Sequence, residues 1–412
     1  MEPFDFEKRV LTRRALLGSA ALGGAALMSA PALADMVNLP FSGGGGERET
    51  TAAFPQKGKM ILQRTRPPLL ETPWETFDKG VFTPNDQFYV RWHWAGIPDS
   101  VDVNAFRLKV HGNVERELSL SLPELIKKFP PFELAAVNQC SGNSRGFFGP
   151  RVPGAEWGNG AMGNAKWRGF RLRDLLDLAG VKSGSIQVRF AGLEKPVIDG
   201  GPHFKKSLSI DHARDGEVMV AYAMNGEALP FLNGFPLRLI VPGWYATYWM
   251  KMLTDIEVLD KPDENFWTKK AYLIPDTPGA NITPGQKDVK MIPINRMVPR
   301  SFFTNVATGG SIKASGPSDL RGIAFGGDCG VAKVETSIDG GASWQAAELG
   351  ADEGKYGFRR WEAKISSPAA GSRLSVKVRC TNTNGLVQPD KPNWNPSGFM
   401  RNVIETVDLV AA

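Results

Sequence analysis

Residues 137–145 read Val137-Asn138-Gln139-Cys140-Ser141-Gly142-Asn143-Ser144-Arg145, a polar run that begins where an apolar segment ends. A structural cysteine usually behaves as a small hydrophobe inside an apolar element. Cys140 has the opposite surroundings: amides and hydroxyls that donate hydrogen bonds, and a glycine that lets the backbone curve around a ligand. On these residues alone a functional thiol and an ordinary loop or core cysteine both remain open. The chain holds three cysteines and four histidines. None forms a Cys-x-x-Cys pair or a histidine cluster, which argues against zinc.

Upstream of this run, residues 88–94 alternate as a strand does, with Val90, Trp92 and Trp94 on one face and Tyr89, Arg91 and His93 on the other. Downstream, Leu172, Leu175, Leu176 and Ala179 recur at helical spacing and stop at Gly180, which predicts a helix over 171–179. Residues 186–191, 218–224, 237–241 and 253–259 read as strands, and Asn225-Gly226 marks a tight turn. Strands mixed irregularly with helices predict an α+β domain. Beyond about residue 285 the helical period disappears. Alternating segments at 331–338, 361–365, 374–380 and 403–410, with a hairpin turn at Asp339-Gly340-Gly341, predict an immunoglobulin-like β-sandwich.

Residues 12–34 carry Arg13-Arg14, an uncharged Ala/Gly/Leu run and Ala32-Leu33-Ala34. This is the pattern of a twin-arginine signal peptide with its cleavage site, and it predicts periplasmic export of a folded chain with its cofactor already inserted. The expected organisation is a signal at 1–34, a flexible lead-in at 35–60 without a packed element, a catalytic domain at 61–285 and a β-domain at 286–412. At 412 residues, 42% of them apolar, the chain suits two folded domains, and its 23 Phe and 11 Trp exclude disorder. The net charge of +6 is too small to predict nucleic-acid binding. Residues 287–412 hold 16 basic and 12 acidic side chains, so the field over 35–286 is near neutral and an anion site there must be a local cluster. No second hydrophobic run long enough to span a membrane follows the signal.

Asn138-Gln139-Cys140-Ser141-Gly142-Asn143, Glu156-Trp157-Gly158, Trp167-Arg168-Gly169 and Leu172-Arg173-Asp174-Leu175-Leu176 together resemble the molybdenum domain of the sulfite oxidase family. The likeness continues through Ala221 to Pro230, Asn233-Gly234-Phe235-Pro236-Leu237-Arg238, Val241-Pro242-Gly243 and Lys251. Ser337 to Trp344 resembles the family's C-terminal dimerisation domain. With an export signal and no Cys-x-x-Cys-His for haem, the resemblance implies a periplasmic, haem-free member that oxidises sulfite to sulfate.

The resemblance further implies one molybdenum-molybdopterin per chain, with Cys140 as the thiolate ligand of the metal. The segment Tyr89, Val90, Arg91, Trp92, His93 would contact the cofactor, as would Asn233, Arg238, Trp249 and Lys251, with Arg238 and Lys251 holding its phosphate. Asn233 stands where some members carry His. Arg91, His93, Tyr272 and Arg359 would serve sulfite, and the neighbouring Arg360 is the alternative to Arg359. Two electrons would pass singly to an external acceptor such as a c-type cytochrome, from a homodimer. His111, His203 and His212 match no motif. Lys205-Lys206 and Lys269-Lys270 read as solvated pairs, and Cys329 and Cys380 are not expected to be bonded. The rival readings are a nitrate or sulfoxide reductase on the same fold and a non-catalytic exported binding protein.

Overall fold

A computed structural model describes residues 35–41 and 43–412. The signal peptide assigned to residues 1–34 lies outside the described residues. Among those described, no helix is long and apolar enough to cross a membrane.

Residues 35–60 hold packed structure, contrary to the lead-in expected there. Met36–Asn38, Glu47–Thr51, Met60–Arg64, Leu69–Glu71 and Val90–Arg91 form one antiparallel sheet in that order. The glycine run turns the chain between the first two strands, with Gly44 and Gly45 at φ +70° and Leu39 N–H donating to the Gly46 carbonyl at 2.8 Å. Met60, Leu70, Val90 and Trp92 then bury against Leu232 and Met252 in a small cluster of their own. That cluster anchors a segment whose composition looked like a linker.

Two further sheets carry the site. One runs Lys205–Ser209, Gln187–Gly192, Leu253–Leu259, Leu108–Gly112, Leu118–Leu120, with Leu253–Leu259 parallel to Leu108–Gly112. The other runs Glu227–Ala228, Met219–Met224, Met162–Arg171, Phe132–Gln139, with Arg238–Ile240 also on Met219–Met224. The helix read at 171–179 is present as Leu172–Ala179, stopped by Gly180 at φ 72°. A second helix, Leu122–Lys128, starts on a Ser121/Glu124 capping box. Of the strand read at 88–94 only Val90–Arg91 is paired, because the chain leaves the sheet there and crosses the pocket; the alternation of faces survives through His93, whereas Trp94 packs on Trp267 as His93 does and not with Val90 and Trp92.

The C-terminal part is the predicted sandwich. Arg300–Phe303, Pro317–Phe325, Arg359–Ser366 and Glu348–Leu349 face Ser311–Ile312, Glu405–Ala411, Arg373–Asn382, Val331–Ser337 and Gln345–Ala346 across Leu320, Val334, Trp361, Val376, Val378 and Leu409. The turn at Asp339 is wider than a tight hairpin. Thr336 pairs with Gln345, and Asp339 Oδ1 accepts from Ser343 N–H at 2.9 Å to close the loop with side-chain bonds. Cys329 and Cys380 are free thiols.

Packing does not break at residue 286. Met291–Pro293 pairs with Leu273–Pro275, and Ile294, Met297, Phe302, Phe325, Phe358, Phe399 and Met400 join the catalytic core. Arg300 ties the two parts together: fully buried, it donates to Ser144 Oγ at 3.0 Å and to Glu405 Oε1 at 2.7 Å. Breaking a buried ion pair by removing one partner costs about 3–5 kcal/mol. Arg300→Ala is therefore expected to lower the unfolding free energy by about that amount, read as a clear drop in the thermal midpoint, and an unchanged midpoint would refute this coupling.

Candidate active site

Phe132–Gln139 becomes fully buried over its last five residues and delivers Cys140 to the base of a pocket. Beyond it the chain turns sharply. Cys140 N–H donates to the Ala161 carbonyl at 2.9 Å, Asn143 N–H returns to the Cys140 carbonyl at 3.0 Å, and Ser144 sits at φ 69°. Gly142 lies against the Arg145 guanidinium, which a Cβ at this position would displace. The loop is braced from below by Glu71, which accepts from Gly158 N–H at 3.0 Å and Gly160 N–H at 2.8 Å. It is held from above by the C-terminal part, where Met400 N–H donates to the Ser141 carbonyl at 3.2 Å.

The pocket brings Cys140 together with Tyr89, Arg91, His93, Asn233, Arg238, Lys251 and Tyr272, as the sequence implied. Val90 and Trp92 project instead into the small N-terminal cluster, on the opposite face of the alternation. Trp249 stands behind the wall, packed on Trp167 at 5.6 Å with Arg238 6.0 Å from its ring. Arg359 is not in the pocket: it donates to the Gly350 carbonyl at 3.1 Å and lies 3.5 Å from Asp352. Nor is Arg360, which donates to the Asp78 carbonyl at 3.0 Å. Their strand belongs to the sandwich, and the C-terminal segment that reaches the site is 393–400. Lys206, read as half of a solvated pair, is fully buried and donates to the Trp267 carbonyl at 2.8 Å.

Two residues at the site were not assigned from the sequence. Arg145 lies beside the Cys140 loop, donating to the carbonyls of Ala155 at 3.1 Å and Ser397 at 3.2 Å, with its guanidinium 5.3 Å from the Phe399 ring. Its charge acts on Cys140, Tyr272 and Arg91. The signal for it was present, five residues after the cysteine in the same polar run. Glu194 accepts from the amides of His93 and Trp94 and sits 3.5 Å from His93 Nδ1. A lone acid after a strand offers no such signal.

Burial governs the electrostatics. It lowers Lys251 to about 7, with Arg238 and Arg91 adding to the effect against Glu194, and lowers Arg238 to about 10. Burial and the Arg91 charge hold His93 well below the usual imidazole value. Burial would raise Glu194, yet the His93 ring, Lys251 and the Trp94 amide outweigh it and hold the carboxyl at about 2. Tyr272 is pushed up to about 12 by burial and keeps its proton. Its hydroxyl lies 2.7 Å from His93 Nε2. With Nδ1 toward the Glu194 carboxylate, a neutral His93 carries its proton on Nδ1 and accepts from Tyr272 at Nε2.

The donor set fits an anionic, sulfur-ligated metal cofactor. Arg91 Nη1, Asn138 Nδ2, Asn143 Nδ2 and Arg238 Nε are buried without a hydrogen-bond partner. Buried donors are rarely left unmade, so these call for acceptors that a phosphate-bearing pterin has. Cys140 supplies a soft thiolate beside them.

The family model for the oxidoreductase molybdopterin binding domain matches residues 94–267, and that for the Mo-co oxidoreductase dimerisation domain matches 292–410. The chain is 33% identical over 370 residues to mitochondrial sulfite oxidase of Mus musculus, covering 85% of this chain and 65% of that protein. It is 30% identical over 362 residues to sulfite oxidase of Gallus gallus, covering 84% and 77%. An NADH nitrate reductase of Brassica napus is 30% identical over 348 residues, covering 78% of this chain and 38% of that protein. The chain thus spans just under two-thirds of the mammalian proteins it matches. Among solved structures, the sulfane dehydrogenase SoxCD from Paracoccus pantotrophus shares the fold, with a TM-score of 0.71 at 22% identity over 96% of both chains.

Lys57, Lys206 and Lys251 are all lowered by burial to about 7 from 10.5. Between pH 7 and 9 the unfolded chain therefore binds more protons than the folded one, and stability rises with pH, the penalty being fully present below pH 7. The thermal midpoint of cofactor-free protein is expected to climb across that window. Protein with an anion in the pocket should show a flatter profile, and a midpoint that falls from pH 7 to 9 without cofactor would contradict these assignments.

Proposed function

The chain belongs to the sulfite oxidase family, and we propose that it oxidises sulfite to sulfate, passing two electrons singly to an external acceptor such as a c-type cytochrome. The observation that carries this reading is the meeting of Cys140 with buried, unpartnered cationic donors in one pocket. A molybdenum-molybdopterin bound there supplies the oxygen-atom transfer and stores the two electrons. Cys140 ligates the metal through Sγ, while Arg238 and Lys251 hold the phosphate and Asn233 offers its amide.

Sulfite is a small dianion whose sulfur must stay free while its oxygens are neutralised. Arg91, with Nη1 buried and uncommitted, binds those oxygens, and Arg145 adds a second positive charge from beneath the cysteine loop. Tyr272 directs its hydroxyl proton to His93 Nε2, and because both hold their protonation states near neutrality the pocket's polarity is fixed before substrate arrives. The Glu194 carboxylate, 3.5 Å from Nδ1, favours the His93 tautomer with its proton on that nitrogen.

We read the protein as a periplasmic homodimer, exported by the twin-arginine signal at residues 1–34 and paired through its C-terminal domain. The nitrate reductase relative names the alternative substrate, which the same assay decides. Purified protein is expected to contain one molybdenum per chain, lost in Cys140→Ser, and to reduce ferricyanide with sulfite. Nitrate turnover without sulfite turnover, or a metal-free stable protein, would overturn the reading.

The arginines separate in kinetics. Removing a charge-assisted bond costs about 1.5–3 kcal/mol, so Arg91→Met is expected to raise the sulfite KM by about tenfold or more. Arg359→Ala should leave KM unchanged, and a raised KM there would return that residue to the substrate.

A further inference from the structure

Gln56-Lys57-Gly58-Lys59 reads as surface, yet Lys57 is only 7% exposed while Lys59 remains in solvent with Asp35. The Lys57 ammonium donates to the carbonyls of Asn85 and Phe88, each at 2.8 Å, and to Asn233 Oδ1. Among the described residues it forms no ion pair with a carboxylate, Asp86 acting on it only through space. A buried ammonium satisfied by neutral oxygens is costly, so its placement calls for a reason.

The reason lies in what Asn233 does next. With Oδ1 held by Lys57, its Nδ2 donates to the Tyr89 carbonyl at 3.0 Å and its own carbonyl accepts from Arg238 Nη1 at 2.9 Å. Lys57 thus fixes the amide orientation of a pocket residue that touches both walls of the pocket. Its neighbour Gln56 accepts from Phe231 N–H at 2.7 Å, so the N-terminal strap is pinned twice across residues 231–233.

On the far side of this crossing lies an open groove larger than the pocket. Leu232 walls both, and Pro55, Gln56 and Lys57 form the groove's edge. Lifting the strap would remove the Lys57 ammonium and the Gln56 bond from the partition between them. The Gln56 and Lys57 side chains are therefore the strap's polar bonds to this partition, beside the Trp92 Nε1 bond to the Leu232 carbonyl at 3.0 Å, which does not involve the strap.

We propose that Lys57 latches the strap over the pocket and retains the molybdenum cofactor, which leaves through the groove only when the strap lifts. The proposal rests on the pocket being the molybdopterin site. Lys57 is here a positioning residue, acting through Asn233 and not on substrate. The predominance of neutral acceptors around it suits this role, because the latch opens without having to break an ion pair.

The test follows cofactor loss from loaded protein during prolonged dialysis, reading molybdenum by metal analysis and pterin by fluorescence. Lys57→Met is expected to shorten the half-time of loss by about tenfold or more, since three bonds from a charged donor vanish. Gln56→Ala, which removes one bond at an exposed side chain, should shorten it by about threefold. Lys59→Met should change nothing. The gap in thermal midpoint between loaded and cofactor-free chains should narrow in Lys57→Met, whereas a purely structural lysine would lower both midpoints alike. Equal retention in wild type, Lys57→Met and Gln56→Ala would overturn the latch alone. A wild-type protein without molybdenum would overturn the reading of the pocket, and the latch with it.

Discussion

Arg238 is buried and Arg91 and Lys251 are half-buried in the wall of one pocket, Lys57 is buried behind it against Asn233, and none of the four forms an ion pair among the described residues. That concentration of unpaired positive charge is the constraint from which the rest of the structure follows. Isolated, it opposes folding, because desolvated cations repel one another and lose water without replacement. Matched by a bound anion, the same groups become charge-assisted donors aimed inward. Near-neutrality over residues 35–286 means that no general field does this work. It falls to side chains fixed in place by the fold.

The fold fixes them by converging segments from the whole length of the chain. The cysteine loop is held by Glu71 from the N-terminal sheet, by Arg300 through Ser144, and by Met400 from the far end. Glu71 acts through Gly158 and Gly160, which pack beside the loop, while Arg300 and Met400 bond the loop itself from the C-terminal part. This accounts for the shared core across residue 286, where Phe302, Phe325, Phe358 and Phe399 pack with residues of the catalytic sheets. A chain built this way draws its pocket from both parts at once.

What was legible in the sequence was local. The Cys140 run, the alternation that sends Tyr89, Arg91 and His93 one way and Val90 and Trp92 the other, and the Leu172–Ala179 helix all follow from composition and period. What failed depended on tertiary partners. Glycine and polar residues at 35–60 looked like a linker because Met36–Asn38 and Glu47–Thr51 carry little apolar surface of their own, pairing with each other and with Met60–Arg64, and Leu69–Glu71 and Val90–Arg91 extend the sheet only beyond Met60–Arg64. Lys206 looked solvated, and Lys57 fell within the expected lead-in, because nothing local shows that backbone carbonyls will receive them. Arg359 was assigned through a motif resemblance, but its side chain is committed to Gly350 and Asp352 within the sandwich, and Ser397 and Met400 make C-terminal contacts to the cysteine loop.

Tyr272 shows how that C-terminal turn completes the chemistry. Its backbone sits at φ 58°, a conformation that costs a non-glycine residue about 1–3 kcal/mol, so something must hold it. Ile294 N–H donates to its carbonyl at 2.8 Å, and its ring stacks on Phe399 with centroids 5.5 Å apart and planes at 5°. Phe399 in turn receives the Arg145 guanidinium. One aromatic residue from the C-terminal part thus sets the tyrosine that bonds His93 and supports the arginine beneath Cys140. The C-terminal part therefore acts on the pocket through the Phe399 ring, alongside the Arg300 and Met400 contacts to the cysteine loop.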